Sequence, residues 1–213
     1  MSRTVRKPAG PTPDVYYTPD WVVAQLLDEV IPPGQTPVEV FGGPQWLEPC
    51  CGGRAIPRAV ASWCTDRDRG GAPQWTTCDI RPEVGSHICG NFLKLASMFH
   101  PEWFSTVLTN PPFSQAMNFA QKSLELAPVV GMLLRSQWLG SQVRNAWIRE
   151  NPPWQGYIST RISFDGSGRS DTDDYSWFIW DRRPDRRFEP GRFVVLPYAD
   201  REYREKWEGA AAA

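Results

Sequence analysis

The chain has 213 residues, 41% hydrophobic and 22% charged, with a net charge of −1. That length suits one globular domain with a real core and is short for two, and the charge excludes an overall nucleic-acid footprint, so any such partner must be held by a local patch. No run approaches the roughly 18 apolar residues of a membrane span, and "MSRTVRKPAGPTPD" lacks an apolar signal core, so no membrane partner and a cytoplasmic location are expected.

The elements can be read in chain order. Residues 1–14 are basic, Pro-rich and non-periodic, which predicts a mobile arm ahead of a single domain over 15–207. Thr18 as N-cap with Pro19 at the first helical position predicts a helix carrying Val23, Leu26, Leu27 and Val30 on one stripe and ending at "PPG". Short apolar runs at "QWLEP", "QWTTCDI", "STVLTN" and "VVGMLLR" read as buried strands. Helices are expected over about 56–64 and 115–127, the second with Met117, Ala120, Leu124 and Ala127 on a face and Pro128 as its stop.

Further strands are expected at "GYISTRISF", "YSWFIWDR" and "RFVVLP", and the tail from 208 to 213 reads as disordered. The alternation predicts an open, mostly parallel α/β sheet, and the close spacing of the last strands predicts an antiparallel edge. The eleven Trp are read as packing. Five cysteines, an odd count without CxxC spacing, argue against a disulfide framework or a closed zinc site. His87 and Cys89 have ligating chemistry, yet no metal is expected.

Three segments fall at strand ends, where ligands bind in such sheets. The first, "WLEPCCGGRAI", runs from strand through Glu48, Pro49, Gly52 and Gly53 into a helix. Its glycines allow close backbone approach to a ligand, and the helix start offers free N–H groups. The second is Asp79, followed by Ile80, about 30 residues on, where a carboxylate suits the paired hydroxyls of a ribose. Read alone, each has a plainer account, as a strand–helix turn and a solvated strand-end acid.

The third is "STVLTNPPFSQ". Pro111 and Pro112 cannot donate to a ladder, and each disfavours helical geometry in the residue before it. What they provide is rigidity. The Asn110 side-chain oxygen and the Pro111 carbonyl are two acceptors that can grip both hydrogens of one NH₂ group. That draws the nitrogen lone pair out of conjugation, while Phe113 stacks on the ring face. No strong base is needed beforehand, because the nitrogen loses its proton after alkylation. The set matches methyl transfer from S-adenosylmethionine to a planar amine.

In this order the motifs resemble those of the amino-methyltransferases, most closely DNA N6-adenine methyltransferases of the small phage or mobile-element kind with gamma-type motif order. The resemblance covers about residues 14–181. "YYTPDWVVAQLL" resembles the segment that closes over the methionine end of the cofactor, "EPCCGGRA" the cofactor loop, "CDI" the ribose-binding acid, "GNFL" the segment beside the cofactor's adenine, and "NPPF" the catalytic loop. It implies a Rossmann-like methyltransferase domain with helices on both faces. It assigns Tyr17, Thr18, Pro19, Glu48, Pro49, Gly52, Asp79, Ile80, Asn91 and Phe92 to S-adenosyl-L-methionine, and Asn110, Pro111, Pro112 and Phe113 to catalysis.

Three departures stand out. Arg54 occupies the place of the second Gly of a Gly-x-Gly loop, with the reach to obstruct or redirect the nucleotide. Asn91 replaces an Asp, and no recognisable target-recognition domain follows the core. RNA guanine-N2 and protein-glutamine methyltransferases use similar loops, and a catalytically inactive DNA-binding or assembly module is a further alternative. The leading motif favours the DNA branch.

The implied partner is DNA, duplex or single-stranded, with the oligomeric state left open. A duplex adenine must be flipped out at a cost of roughly a few kcal/mol and stacked between side chains. Phe113 is one wall, and Phe164 or else Trp138 is the candidate for the other, with core packing the alternative for both. Arg135, Arg144, Arg149, Arg161 and Arg169 follow the catalytic loop and are the candidates for phosphate contact. "DRRPDRR" reads as a solvated turn. "FDGSGRSDTDDYSW" has the length of a groove-probing insert, although its four Asp repel phosphate. A single strand would relax these demands.

Overall fold

A computed structural model of the chain describes residues 17–164 and 171–209. The predicted arm at 1–14, Arg169 and the end of the tail lie outside the described residues. The first helix, α1 (Asp20–Val30), is followed by a short α2 (Pro37–Phe41) and strand β1 (Gln45–Glu48). Then come α3 (Ala55–Asp66), β2 (Gln74–Asp79), β3 (Ile88–Cys89) and α4 (Phe92–Leu95). Strand β4 (Thr106–Thr109), α5 (Ala116–Leu126), β5 (Val129–Arg135) and α6 (Gln142–Glu150) continue the chain. It closes with β6 (Trp154–Ile158), β7 (Tyr175–Asp181), β8 (Phe193–Val195) and α7 (Arg201–Gly209).

The eight strands form one sheet in the order β3-β2-β1-β4-β5-β7-β6-β8. Strands β1 to β5 pair in parallel, and β6 pairs in parallel with β8. The antiparallel pairing lies on the side expected and is made by β7, which runs between β5 and β6 against both.

Alternation along the strands divides the core. Trp46, Leu108, Leu133, Trp177 and Ile179 face the layer of α1, α2 and α3. Leu47, Val107, Val130, Met132, Leu134, Phe178 and Trp180 face the layer of α4 and α5. Helices therefore cover both faces. Gly131 lies opposite Leu108 in the β4–β5 register, and a Cβ there would stand 2.6 Å from a Leu108 methyl, so a larger residue would force the Leu108 side chain to move.

Several boundaries differ from the sequence reading. Helix α1 is capped by Pro19 rather than Thr18, whose hydroxyl is engaged elsewhere. Its apolar stripe is wider than expected because α3 and α7 both pack on it, and every residue from Asp20 to Leu27 is buried. The strand expected over "GYISTRISF" ends at Ile158. Beyond it the chain leaves the ladder, and the Thr160 hydroxyl accepts from the Ala199 N–H at 2.8 Å.

Helix α7 has no apolar run to reveal it. It docks through the buried Trp207, a Tyr203 hydroxyl donating to Asp28 at 2.7 Å and a Lys206–Asp66 ion pair at 2.8 Å. Helix α2, also missed, carries a readable sign: Thr36 and Glu39 form a capping box. No helix among the described residues is long and apolar enough to cross a membrane, and no group of three or more His, Cys, Asp or Glu among them has metal-binding placement.

Candidate active site

The ends of β1, β2 and β4 bring Glu48, Asp79 and Asn110 to one edge of the sheet, because these three strands are parallel neighbours. After Glu48 the chain turns through Cys51, whose N–H donates to the Cys78 carbonyl at 2.9 Å and ties the loop to β2. Gly52 (φ 49°) and Arg54 (φ 57°) both adopt left-handed backbone. Arg54 thus takes the conformation a second glycine would take, and caps α3 from there. Its exposed side chain donates to the Gly85 carbonyl. Tyr17 lies over the same loop, so a Cβ on Gly53 would stand 3.1 Å from its ring.

Asp79 is buried and fully engaged. It accepts from the Gly52 N–H at 2.8 Å, the Arg81 N–H at 2.9 Å and the Arg81 Nε at 3.1 Å. Burial opposes its ionisation, but the Arg81 side chain and the two backbone N–H groups outweigh that and hold its carboxyl below the usual range. Ile80, next along, is 63% exposed, an apolar surface beside the acid.

Glu48 is 2% exposed, and its Oε2 has no hydrogen-bond partner. Burial first, and the nearby Asp79 second, push its carboxyl well above the usual range. Burial raises the Cys50 thiol likewise, although a 2.9 Å contact with the Thr109 hydroxyl opposes the effect. Cys51 is pushed up to about 12, by burial and then by Glu48 and Asp79. Both remain thiols at neutral pH, which removes them as nucleophiles.

Asn110 leaves β4 with its Nδ2 donating to the Thr18 hydroxyl at 3.1 Å. Its Oδ1 is buried without a partner. Pro111 is buried, and Phe113 opens a short 3₁₀ turn that leads into α5. The Phe113 ring meets Tyr175 at 5.8 Å, and Phe164 packs edge-on against Tyr175 at 4.9 Å. The Arg135 guanidinium lies 5.0 Å from the Phe113 ring centroid and pairs with Asp173 at 3.0 Å. Tyr175 donates to Asp171 at 2.6 Å.

Of the remaining sequence-predicted residues, Asn91 comes one position after Gly90, whose N–H donates to the Asp79 carbonyl at 2.8 Å. Asn91 caps α4, its Oδ1 accepting from the Leu93 N–H at 3.0 Å. Phe92 is buried against Phe119. Trp138 is buried in a cluster with Trp147, Phe178 and Trp180, under the Arg144 guanidinium. Arg149 is exposed on α6, and Arg161 donates to the Asp171 and Thr172 carbonyls. In "DRRPDRR", the buried Asp181 accepts from the side chain of Arg183 and from the N–H groups of Arg183, Arg187 and Phe188, which makes the segment a self-satisfied turn.

Of the segment expected to probe a groove, residues 165–170 lie outside the described residues. Asp171 and Asp173 of its second half are held internally by Tyr175 and Arg135, which blunts their expected repulsion of phosphate.

Sequence reasoning missed Arg81 and Tyr175. The spacing Asp79-Ile80-Arg81 at a strand end could have suggested the first, since i and i+2 share a side. Nothing local marks Tyr175. Two hollows elsewhere, one of about 630 Å³ beside α5 and α6 and one of about 650 Å³ beneath the opposite ends of β1 and β4, contain none of the predicted residues.

No protein-family model matches the chain, and no curated protein matches its sequence. Solved structures do. A protein from Listeria monocytogenes assigned as a class I S-adenosylmethionine-dependent methyltransferase aligns with TM-score 0.55 and 14% identity, over 89% of this chain and 70% of that one. The M protein of the type I restriction enzyme EcoKI aligns with TM-score 0.54 and 15% identity, over 84% of this chain and 47% of its own, so the present chain spans about half its length. A protein from Pyrococcus horikoshii assigned as an RNA methyltransferase aligns with TM-score 0.51 and 13% identity, over 78% and 85%. At these identities the likeness is one of fold. The chain has the Rossmann-like α/β fold found in class I methyltransferases.

Proposed function

We propose that this chain transfers a methyl group from S-adenosyl-L-methionine to the exocyclic N6 amine of adenine in DNA. The observation that carries the reading is the Asn110 amide. Its Nδ2 is committed to Thr18, while its buried Oδ1 lacks a partner, in a loop of the Asn-Pro-Pro-Phe type. A buried acceptor without a donor costs roughly 1–3 kcal/mol. An incoming NH₂ group removes that cost.

The cofactor fits the residues present. S-adenosyl-L-methionine carries an ammonium and a sulfonium, and Glu48 holds a buried carboxyl oxygen without a partner, whose ionisation a bound cation would favour, next to the ionised Asp79. Glu48 would hold the cationic methionine end, Asp79 the ribose, Ile80 the adenine face, and the Gly52–Gly53 backbone the close approach, with Tyr17 above. When bound, the cofactor supplies an electrophilic methyl group.

The chain's own part is to bind, orient and polarise. Asn110 Oδ1 and the Pro111 carbonyl accept the two amine hydrogens, and Phe113, braced by Tyr175, stacks on the base. Both prolines keep the acceptors from relaxing away. The nitrogen lone pair would form the N–CH₃ bond as the S–CH₃ bond of the sulfonium breaks and leaves its electron pair on sulfur, and the nitrogen would then release one proton to solvent. Arg135 covers the Phe113 ring. A base stacking on that face would displace the guanidinium from the ring toward a backbone phosphate, while Asp173 keeps its hold on it.

The fold is shared by proteins assigned to RNA and to restriction-modification, so the choice of DNA rests on the motif order and the leading Tyr-Thr-Pro segment. The test is transfer from labelled S-adenosylmethionine into unmethylated DNA, with total RNA in parallel, followed by nucleoside analysis. N6-methyladenine in DNA is expected. Label confined to RNA or to protein overturns the substrate, and label in no acceptor overturns the activity.

A further inference from the structure

We infer that Thr18 is a positioning residue for methyl transfer: its buried hydroxyl accepts from the Asn110 Nδ2 and anchors the amide, leaving the carbonyl oxygen for the target amine. The inference rests on the proposed reaction, and it gives Thr18 a different part from the cofactor contact that the sequence resemblance implies.

An Asn amide has nearly the same shape either way round. Rotated by half a turn, it would present two donors to an amine that also donates, and the grip would be lost. The Thr18 hydroxyl can pair with either end of the amide, and in the structure it accepts from Nδ2, which leaves Oδ1 as the end without a partner. Thr18 Oγ1 stands 3.1 Å from Asn110 Nδ2, and Thr18 is 4% exposed, so water does not substitute for it. With a donor amine in front, the observed orientation is the one that pairs both ends of the amide. The flipped one pairs only with Thr18, so the hydroxyl and the target amine together favour the observed orientation.

Other elements hold the two residues at this separation. Asn110 is carried by the end of β4, whose Thr109 hydroxyl meets the Cys50 thiol at 2.9 Å. Thr18 is carried by the start of α1, which is anchored through the buried Asp20 to Arg58 of α3 at 2.7 Å. Pro19 fixes the backbone between them, with φ −61°. The contact thus joins two segments 92 residues apart, and it explains why Thr18 does not cap α1: its oxygen is turned to Asn110.

The test compares Thr18→Val, which is nearly isosteric and lacks the hydroxyl, with Thr18→Ser, which keeps it. Three quantities are read on the full chain: kcat, the KM for DNA, and the dissociation constant for S-adenosylmethionine by calorimetry. Thr18→Val is expected to lower kcat by on the order of tenfold, the worth of one buried hydrogen bond, with cofactor affinity within about twofold of the parent. Thr18→Ser is expected to restore kcat.

Cofactor affinity that falls in Thr18→Val while kcat at saturation is unchanged overturns the positioning role in favour of direct cofactor contact. Equal losses in the Val and Ser variants overturn it as well, since the methyl group would then matter and not the hydroxyl. Should Thr18→Val fail to fold, the Ser and Ala variants make the same comparison. An unaltered chain that methylates no polymer overturns the proposed reaction itself, and this inference with it.

Discussion

Arg81 holds Asp79 twice through one oxygen, with its backbone N–H at 2.9 Å and its Nε at 3.1 Å from Oδ1. With the Gly52 N–H on Oδ2, the carboxylate is satisfied before any ligand arrives. A ribose that donates its hydroxyls to Asp79 must therefore take the place of the Arg81 guanidinium. Arg81→Ala is expected to tighten S-adenosylmethionine binding while destabilising the ligand-free protein by about 1.5–3 kcal/mol, the range for hydrogen bonds to a charged group. Calorimetry and denaturant melts separate the two effects. Weaker cofactor binding in this variant would mean that Arg81 itself touches the ligand.

The same pair predicts an acid limit. Asp79 is held below its usual range, so it adds stability at pH above the ordinary carboxylate range, and this is lost as pH falls through its lowered folded-state value. Arg81→Ala should flatten that acid-side loss. The check is a series of urea midpoints from neutral pH downward, and an unchanged acid slope would contradict it.

Glu48 runs the other way. Its carboxyl is pushed up by burial and then by Asp79, so the folded protein holds a proton there that the unfolded chain has given up. Its contribution is present below the ordinary Glu range and is lost as pH rises through the raised value. Glu48→Gln removes that loss, so the ligand-free variant should be more stable than the parent at neutral and alkaline pH. It should also bind the cationic cofactor more weakly. A variant that lost stability at every pH would show Glu48 to be paired in the folded state.

Asn110→Ala should abolish methyl transfer, with S-adenosylmethionine affinity little changed, because the proposed reaction gives its unpartnered Oδ1 to the acceptor amine while its Nδ2 is held by Thr18. Thermal stabilisation by the cofactor reads binding directly. At 100 times the dissociation constant it should add about 2.7 kcal/mol in parent and variant alike. Transfer at the parent rate would remove Asn110 from the reaction.

Arg54 sits at φ 57°, where a side chain costs roughly 1–2 kcal/mol that glycine avoids. Arg54→Gly should therefore raise the melting temperature or leave it unchanged, since the lost contact to Gly85 is exposed. It should also leave cofactor affinity at least as high. A marked fall in melting temperature would show that the Arg54–Gly85 link, not the backbone conformation, governs this loop.

Much of this protein is legible in its sequence because the relevant physics is local. Apolar runs of strand length bounded by Gly and Pro favour strands, and their alternation with helices points to an open α/β sheet. Asn-Pro-Pro-Phe has a restricted conformation wherever it sits, since each proline ring limits its own φ and the geometry of the residue before it. The capping box at Thr36–Glu39 and the Asp79–Arg81 spacing belong to the same class, and a closer reading would have used both.

Non-local pairing decided the rest. That Phe164 packs on Tyr175 while Trp138 enters a tryptophan cluster depends on how β7 slots between β5 and β6, and no local pattern encodes that insertion. The partner of Asn110 is 92 residues away, at the head of a helix whose cap the sequence had assigned to that same Thr18. Propensity ranked Thr18 as a capping oxygen because it weighs only neighbours along the chain. In the fold a buried amide needed an acceptor, and leaving it unpaired in a water-free site costs more than leaving a helix end without a side-chain cap.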